Sequence, residues 1–445
     1  MSQEARRPRL ASALAALPLA VAAALCGPQA HAAGFQLQED DVLGMGRAYA
    51  GKTSAPDDCA VVVNNPAAMT EFKTSCLQAD VTAINFSTKF HGSGTDLLGR
   101  PLSGDHGGDG GTTLPVPAFH YILPISDQFA FGAAINAPFG FQTDYHDRWI
   151  GRYQAQKTKL QSPALTLAGA WKVSDQFSIG LSAIAQRTNA KLTQAIDLGT
   201  ILMSPTNGQL LPQEADGRGT LKGSDWGWGW GVGLLWKPTD ADRFGLNFHS
   251  QIDHHISGDA KFEVPSNLLP LFGGAFVDTK GNTSINTPSY ADLSWWHTAN
   301  DRVSFGVDVG YTHWSSFKRL VIDYGNPAQQ AFNSSSIFDF RNTWFASVGA
   351  DYRLDERWTL RGGLAYDETP TVDAHRDPRI PDGTRRWVAV GIGYQASDRL
   401  RFDASYVHLF VSDGHVHDVS ATFDTLSGAF ESYGNLLGVS AQLSF

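Results

Sequence analysis

The chain has 445 residues, and its 44 Asp and Glu outnumber its 34 Lys and Arg, giving a formal charge of −10. That balance argues against nucleic acid as a partner. Beyond the N-terminus no stretch holds 18 consecutive apolar residues, so no membrane-spanning helix is expected. Yet 45 Gly, 26 Phe, 12 Trp and 12 Tyr are a heavy load of glycine and aromatics. A membrane β-barrel, with small residues facing the lumen and aromatics at the interfaces, accounts for both.

The first element is an export signal, read over residues 1–32. Arg6, Arg7 and Arg9 precede an uncharged run from Leu10 to Leu25, and Ala30-His31-Ala32 has the A-x-A form of a cleavage site. About forty residues follow before the first convincing strand, near Ala79 to Phe90. They are not low-complexity, and two places could hold them. One is the interior of a barrel too wide to be filled by its own side chains, the other a disordered periplasmic arm. Cys59 and Cys76 remain after the signal; an oxidising compartment permits a bridge, and two free buried thiols are the alternative.

A short motif then punctuates the chain: two polar residues, usually with Asp, before the start of an alternating run. It appears at Ser126-Asp127-Gln128-Phe129, Ser174-Asp175-Gln176-Phe177 and Ala241-Asp242-Arg243-Phe244. It returns at Asn300-Asp301-Arg302-Val303, Asp355-Glu356-Arg357-Trp358 and Ser397-Asp398-Arg399-Leu400. Ser, Asn and Asp favour tight turns because their side chains bond nearby backbone. Between the turns lie long irregular stretches, placed at 92–113, 192–224, 258–288, 327–337, 369–384 and 412–431. Short turns at one rim and long loops at the other are the asymmetry of an outer-membrane barrel. Six turns join seven hairpins, so the expected fold is all-β, a transmembrane antiparallel barrel of about fourteen strands. The last strand shows the pattern plainly: Leu437, Val439, Ala441, Leu443 and Phe445 alternate with Gly438, Ser440, Gln442 and Ser444.

The segment after the signal carries a resemblance. Gly34-Phe35-Gln36-Leu37, Gly44-Met45-Gly46-Arg47-Ala48, Asp57-Asp58 and Asn65-Pro66-Ala67-Ala68-Met69 follow one another as in the FadL family, outer-membrane transporters of long-chain fatty acids and other hydrophobic compounds. Ile380-Pro381-Asp382 with Arg386-Trp387 is similar to that family's later signature. The resemblance implies a hatch over residues 33–76 inside a barrel over 77–445. It implies hatch or gating roles for Gly34, Phe35, Asn65, Pro66 and Ala67, and it makes Phe445 part of the signal read by the barrel-assembly machinery. It also implies a kink in the third strand that opens the wall sideways. Asn136-Ala137-Pro138-Phe139-Gly140 is the matching place, since Pro138 lacks a ladder donor and Gly140 weakens pairing. The alternative is that Pro138 ends the strand at the outer rim.

A hydrophobic ligand leaving water gains about 0.8 kcal/mol per buried methylene. Met203 in one long loop, and Leu268, Leu269, Leu271 and Phe272 in another, are expected to offer the outer capture surface, or else to pack the loops together. A fatty acid also needs a cation, and the resemblance implies Arg187 and Arg341. Strand parity turns Arg341 inward but Arg187 outward, and an ordinary ion pair is the alternative for each. Asp253-His254-His255 is a poor metal site because adjacent strand residues face opposite ways. No catalytic set, cofactor motif or metal spacing stands out. The expected function is passive uptake of long-chain fatty acids or related hydrophobic molecules by a monomer in the Gram-negative outer membrane, surrounded by membrane lipid and lipopolysaccharide. The alternatives are uptake of neutral aromatic hydrocarbons, a lipid-acting enzyme, and a water-filled porin.

Overall fold

The computed structural model describes residues 34–332 and 335–445; the signal-peptide reading of residues 1–32 lies outside them. Strands dominate, in the order β1 (Cys76–Thr95), β2 (Thr113–Pro124), β3 (Phe129–Asp144), β4 (Lys157–Lys172), β5 (Phe177–Asp197) and β6 (Asp216–Trp236). Next come β7 (Asp242–His249, continued by Ile252–Glu263) and β8 (Thr279–Thr287, continued by Tyr290–Thr298). Then follow β9 (Val303–Thr312), β10 (Thr343–Arg353), β11 (Trp358–Asp367) and β12 (Arg385–Ser397). The series ends with β13 (Leu400–Val411, continued by Gly414–Val419) and β14 (Thr425–Ser444). Both parts of β7 pair with β6, and both parts of β13 pair with β14, so each counts once. Every neighbour is antiparallel. β1 pairs with β14 from Cys76↔Ser444 to Thr95↔Thr425 and closes a barrel of fourteen strands.

The six short turns fall where the motif places them. In three of them the first polar side chain accepts from the backbone three residues on: Ser126 Oγ from Phe129 N at 3.2 Å, Asn300 Oδ1 from Val303 N at 3.0 Å, Asp355 Oδ1 from Trp358 N at 2.8 Å. Several outer loops, those read at 192–224, 258–288 and 412–431, are shorter than expected because strands run beyond the apolar belt, whereas the β9–β10 connection, read at 327–337, spans 313–342. β5 and β6 stay paired out to Asp197↔Asp216, well inside the stretch read as loop. Once outside lipid, a strand no longer needs an apolar outer face, so the alternation fades while the ladder continues.

Residues 34–75 lie within the barrel. They contain two short helices, α1 (Val42–Met45) and α2 (Val61–Asn64), and a 3-10 turn over Pro66–Glu71. Val42, Met45, Tyr49, Val62 and Met69 are fully buried. Polar ties run to several sides of the wall: Val42 N to Asp80 on β1, Lys52 to Asp292 on β8, and Arg47 to Asp351 on β10. Wall glycines permit the approach. A Cβ at Gly180 would strike the Pro66-Ala67 backbone, one at Gly233 the Asn65 side chain, and one at Gly363 the Arg47 carbonyl. Cys59 and Cys76 form a disulfide, Cα to Cα 6.0 Å, tying this inner segment to the start of β1.

Candidate functional site: a gap in the wall and the cavities behind it

β2 and β3 are paired over six rungs only, from Phe119↔Ile135 to Pro124↔Ala130. Farther out, β2 pairs with β1 alone, from Asp80↔Ala118 to Asn85↔Thr113. Pro115 and Pro117 explain this. A proline in a ladder sits with its nitrogen turned away from its partner, so both missing N–H groups lie on the side that would face β3. β3 departs as well. Its register against β4 shifts between Asn136↔Ala164 and Phe139↔Ser162, placing one extra residue in β3. β3 nevertheless continues past Pro138 to Asp144, so Pro138 does not end it.

The edge that β3 withdraws from β2 is occupied from inside. Leu37 N donates to the Pro138 carbonyl at 2.8 Å, and Gly140 N donates to the Phe35 carbonyl at 2.9 Å. Gly34 N donates to Asp382 Oδ2 at 2.7 Å, which gives the Ile380-Pro381-Asp382 signature a physical task. A cavity of about 530 Å³ opens at the gap, bordered by Asn136, Ala137, Phe139, Gly140, Gly34 and Arg385. Asn136 Nδ2 donates to Asp40 Oδ2 at 2.9 Å and so fastens the bulge to the inner segment. Behind the cavity, Phe35 is 2% exposed. Its ring lies 4.6 Å from Trp314 and 5.6 Å from Phe317, centroid to centroid, with Phe139 and Phe141 each at 6.1 Å.

Deeper in, Asn65 Nδ2 donates to the Thr53 carbonyl at 2.6 Å and the Leu234 carbonyl at 2.8 Å, while its Oδ1 accepts from Ala67 N at 3.1 Å. Asn65, Pro66 and Ala67 thus form a fixed joint to the wall, distant from the Phe35 end. Glu39 lies between the two, outside the wall strands. Burial pushes its carboxyl up to about 7, against the pull of Arg385.

A second cavity of about 590 Å³ lies among the outer loops, lined by Ile201, Met203, Leu221, Phe262, Phe276 and Ile322. The helix α3 (Leu198–Met203) contributes Thr200, Ile201 and Met203 to its wall, whereas Leu268 and the 3-10 turn Leu269–Phe272 do not border it. Phe272 is buried in the inter-loop cluster, with Leu268 packed against it, while Leu269 is half-buried and Leu271 exposed. Loop packing and a ligand-sized space therefore coexist.

The two arginines do not join either cavity. Arg187 is exposed on the outer wall, opposite Trp226, and bonds Ser224 Oγ at 3.2 Å; no bulge reverses its parity. Arg341 is also exposed, with Nε donating to the Thr369 carbonyl at 3.2 Å. Its inward assignment fails because β10 begins only at Thr343, so strand parity does not reach it. The cations that border the wall cavity are instead Lys159 and Arg385, and Arg385 is the one tied to the signature. It bonds Asp382 Oδ1 at 2.9 Å, and its buried Nε has no hydrogen-bond partner among the described residues. Arg385 stands three residues after Asp382 of the signature, and that adjacency was the available signal. The β3–β4 loop also escaped sequence reasoning, although Tyr145, Trp149 and Tyr153 are buried there. His254 points inward and His255 outward, and no metal-holding group occurs among the described residues.

A closed barrel with a filled lumen, a side gap and apolar cavities is the architecture of an outer-membrane channel for hydrophobic compounds. Residues 23–445 match the family model described as outer membrane protein transport protein (OMPP1/FadL/TodX), and the chain belongs to that family. It is 32% identical over 408 residues to a long-chain fatty acid transport protein of Escherichia coli O6:H1, covering 88% of this chain and 90% of the relative. A crystal structure of a Pseudomonas aeruginosa FadL homologue is similar at TM-score 0.88 and 31% identity, covering 93% of this chain and all of that one. The Ralstonia pickettii toluene transporter TbuX shares the fold at TM-score 0.66 and 19% identity, covering 92% and 99% of the two chains. The outer membrane is accordingly the protein's location.

Proposed function

We propose that the protein takes up long-chain fatty acids passively: captured among the outer loops, held in the lumen, and released sideways through the β2–β3 gap. The observation that carries this reading is the gap itself, which backs onto a cavity bordered by Gly34, Gln36 and Leu37, with residues 35 and 37 bonded to β3. Residues 34–75 act as a hatch whose Phe35 end moves while the Asn65-Pro66-Ala67 joint stays fixed. Arg385 receives the carboxylate, its free Nε supplying a charge-assisted bond. A fatty acid is favoured over a neutral hydrocarbon because a relative at 32% identity is named for fatty acid transport.

The test is uptake of radiolabelled long-chain fatty acid and of toluene by cells lacking other outer-membrane transporters of hydrophobic compounds. A variant with Pro115→Thr, Pro117→Thr and Pro138 deleted restores donors to β2 and register to β3. It is expected to lower uptake at least tenfold while binding at the loops persists. Arg385→Gln is expected to weaken fatty-acid binding about 10-fold or more, the worth of one charge-assisted bond, and to leave toluene unaffected. Full uptake through the restored wall would refute lateral release. Toluene uptake alone, indifferent to Arg385, would move the cargo to neutral hydrocarbons.

A further inference from the structure

On the outside of the wall, three adjacent strands carry a lysine on the same rung. Lys159 of β4 is opposite Lys191 of β5, and Lys191 is opposite Lys222 of β6. Their chain neighbours Thr158, Leu160, Ala190 and Leu221 are buried, which turns the three lysines outward. Directly opposed residues stand about 5 Å apart at Cβ, and like charges there repel. None of the three has an ion pair or hydrogen bond among the described residues. The acid in line with the row is Asp259, opposite Lys222 on β7, and Lys280 already holds it at 2.6 Å. Arg187 adds a fourth cation lower on β5, lying over the Trp226 ring at 5.7 Å. Lys261, exposed opposite Thr220, adds a fifth two rungs farther out.

The position of the row identifies what neutralises it. Below Lys222, on the same face of β6, Trp226, Trp228 and Trp230 are 53%, 75% and 54% exposed. Exposed Trp marks the membrane interface, so the lysines stand in the headgroup layer of the outer leaflet. The row spans two inter-strand spacings, about 10 Å. We infer that this face binds the phosphorylated saccharide head of an outer-leaflet glycolipid, its phosphates on Lys159, Lys191 and Lys222 and its acyl chains against the Trp-bearing wall. A soluble phosphate would gain the cations and not the wall. The inference rests on the outer-membrane location; Lys159 also borders the wall cavity, whereas Lys191 and Lys222 do not, so those two carry it independently of what the channel transports.

The test titrates full-length protein in lipopolysaccharide-free micelles with bisphosphorylated lipid A, dephosphorylated lipid A and inorganic pyrophosphate. Proteins compared are the wild type, Lys159→Gln/Lys191→Gln/Lys222→Gln, and Lys318→Gln as an exposed outer-loop control. Each lysine near a charged lipid surface is worth roughly a fivefold change in binding, so the triple variant should bind bisphosphorylated lipid A on the order of a hundredfold more weakly. Without lipid its Tm should be equal or higher, because repulsion has been removed. A lysine row that served only the fold would show the reverse. Lys191→Gln alone, at the centre of the row, should lose about fivefold and serves if the triple variant does not fold. Equal binding by the wild type and the lysine variants overturns the site. Equal binding of dephosphorylated lipid A overturns the phosphate assignment, and pyrophosphate binding as tightly as lipid A overturns the lipid.

Discussion

Phe35→Ala should release residues 34–37 without unfolding the barrel. Residues 34–37 are held by two backbone hydrogen bonds to β3 and by the bond from Gly34 N to the Asp382 carboxylate. Neutral bonds contribute about 1 kcal/mol each and one to a carboxylate about 1.5–3. Burial of the Phe35 ring adds about 2–3 kcal/mol. Ordering four residues of backbone costs about 1–2 kcal/mol each. Favourable terms of about 6–8 kcal/mol thus face about 4–8 kcal/mol of lost entropy. The segment is close to balance, and the ring tips it toward the closed position. Removing the ring should raise opening of residues 34–40 by about 30- to 150-fold. Hydrogen exchange by mass spectrometry in detergent reads this directly, with the amides of β1 and β14 as internal controls. Unchanged exchange of the Leu37 and Gly140 amides would show that Phe35 is not what holds the segment. A loss of protection throughout the barrel would show that the ring serves the whole fold rather than a gate.

The same segment should respond to pH. Glu39 rises from 4.5 to about 7 on burial, so the folded inner segment favours its protonated form. The penalty for ionising it is absent below about pH 4.5, grows between 4.5 and 7, and is complete above 7, where it reaches about 3 kcal/mol. Exchange of residues 34–40 should therefore quicken as pH rises through that window, after correction for intrinsic rates, and Glu39→Gln should weaken the dependence, leaving the part contributed by Asp40, whose carboxyl burial also raises. Cys59→Ser/Cys76→Ser opens a loop with sequence separation 17. It should cost the inner segment about 3 kcal/mol, seen as faster exchange around Val61–Asn64, while the barrel keeps its heat-modifiable migration on gels. An equal loss of barrel resistance would mean that the bridge holds the wall as well.

What could be read from the sequence depended on how local its cause is. The six turns were legible because Ser126, Asn300 and Asp355 each act within three residues of themselves. From the turns came the strand count, and from alternation came the outward facing of Arg187. Parity fails where a strand begins or bulges, and those events depend on neighbours distant in sequence. Arg341 lies two residues before β10, and the bulge in β3 is defined only against Ser162 and Ala164 of β4. The gap had a sequence cause, but it lay on the other strand. Pro115 and Pro117 share one face of β2, and each could have been assigned a side once β1 was known as the partner on the opposite edge. Arg385 was hidden for a related reason. Its place at the cavity is set by Asp382, which is itself tied to Gly34, 348 residues away. A barrel closes its first strand on its last, so the residues that govern its opening come from both ends of the chain. Only the pairing register shows which of them meet.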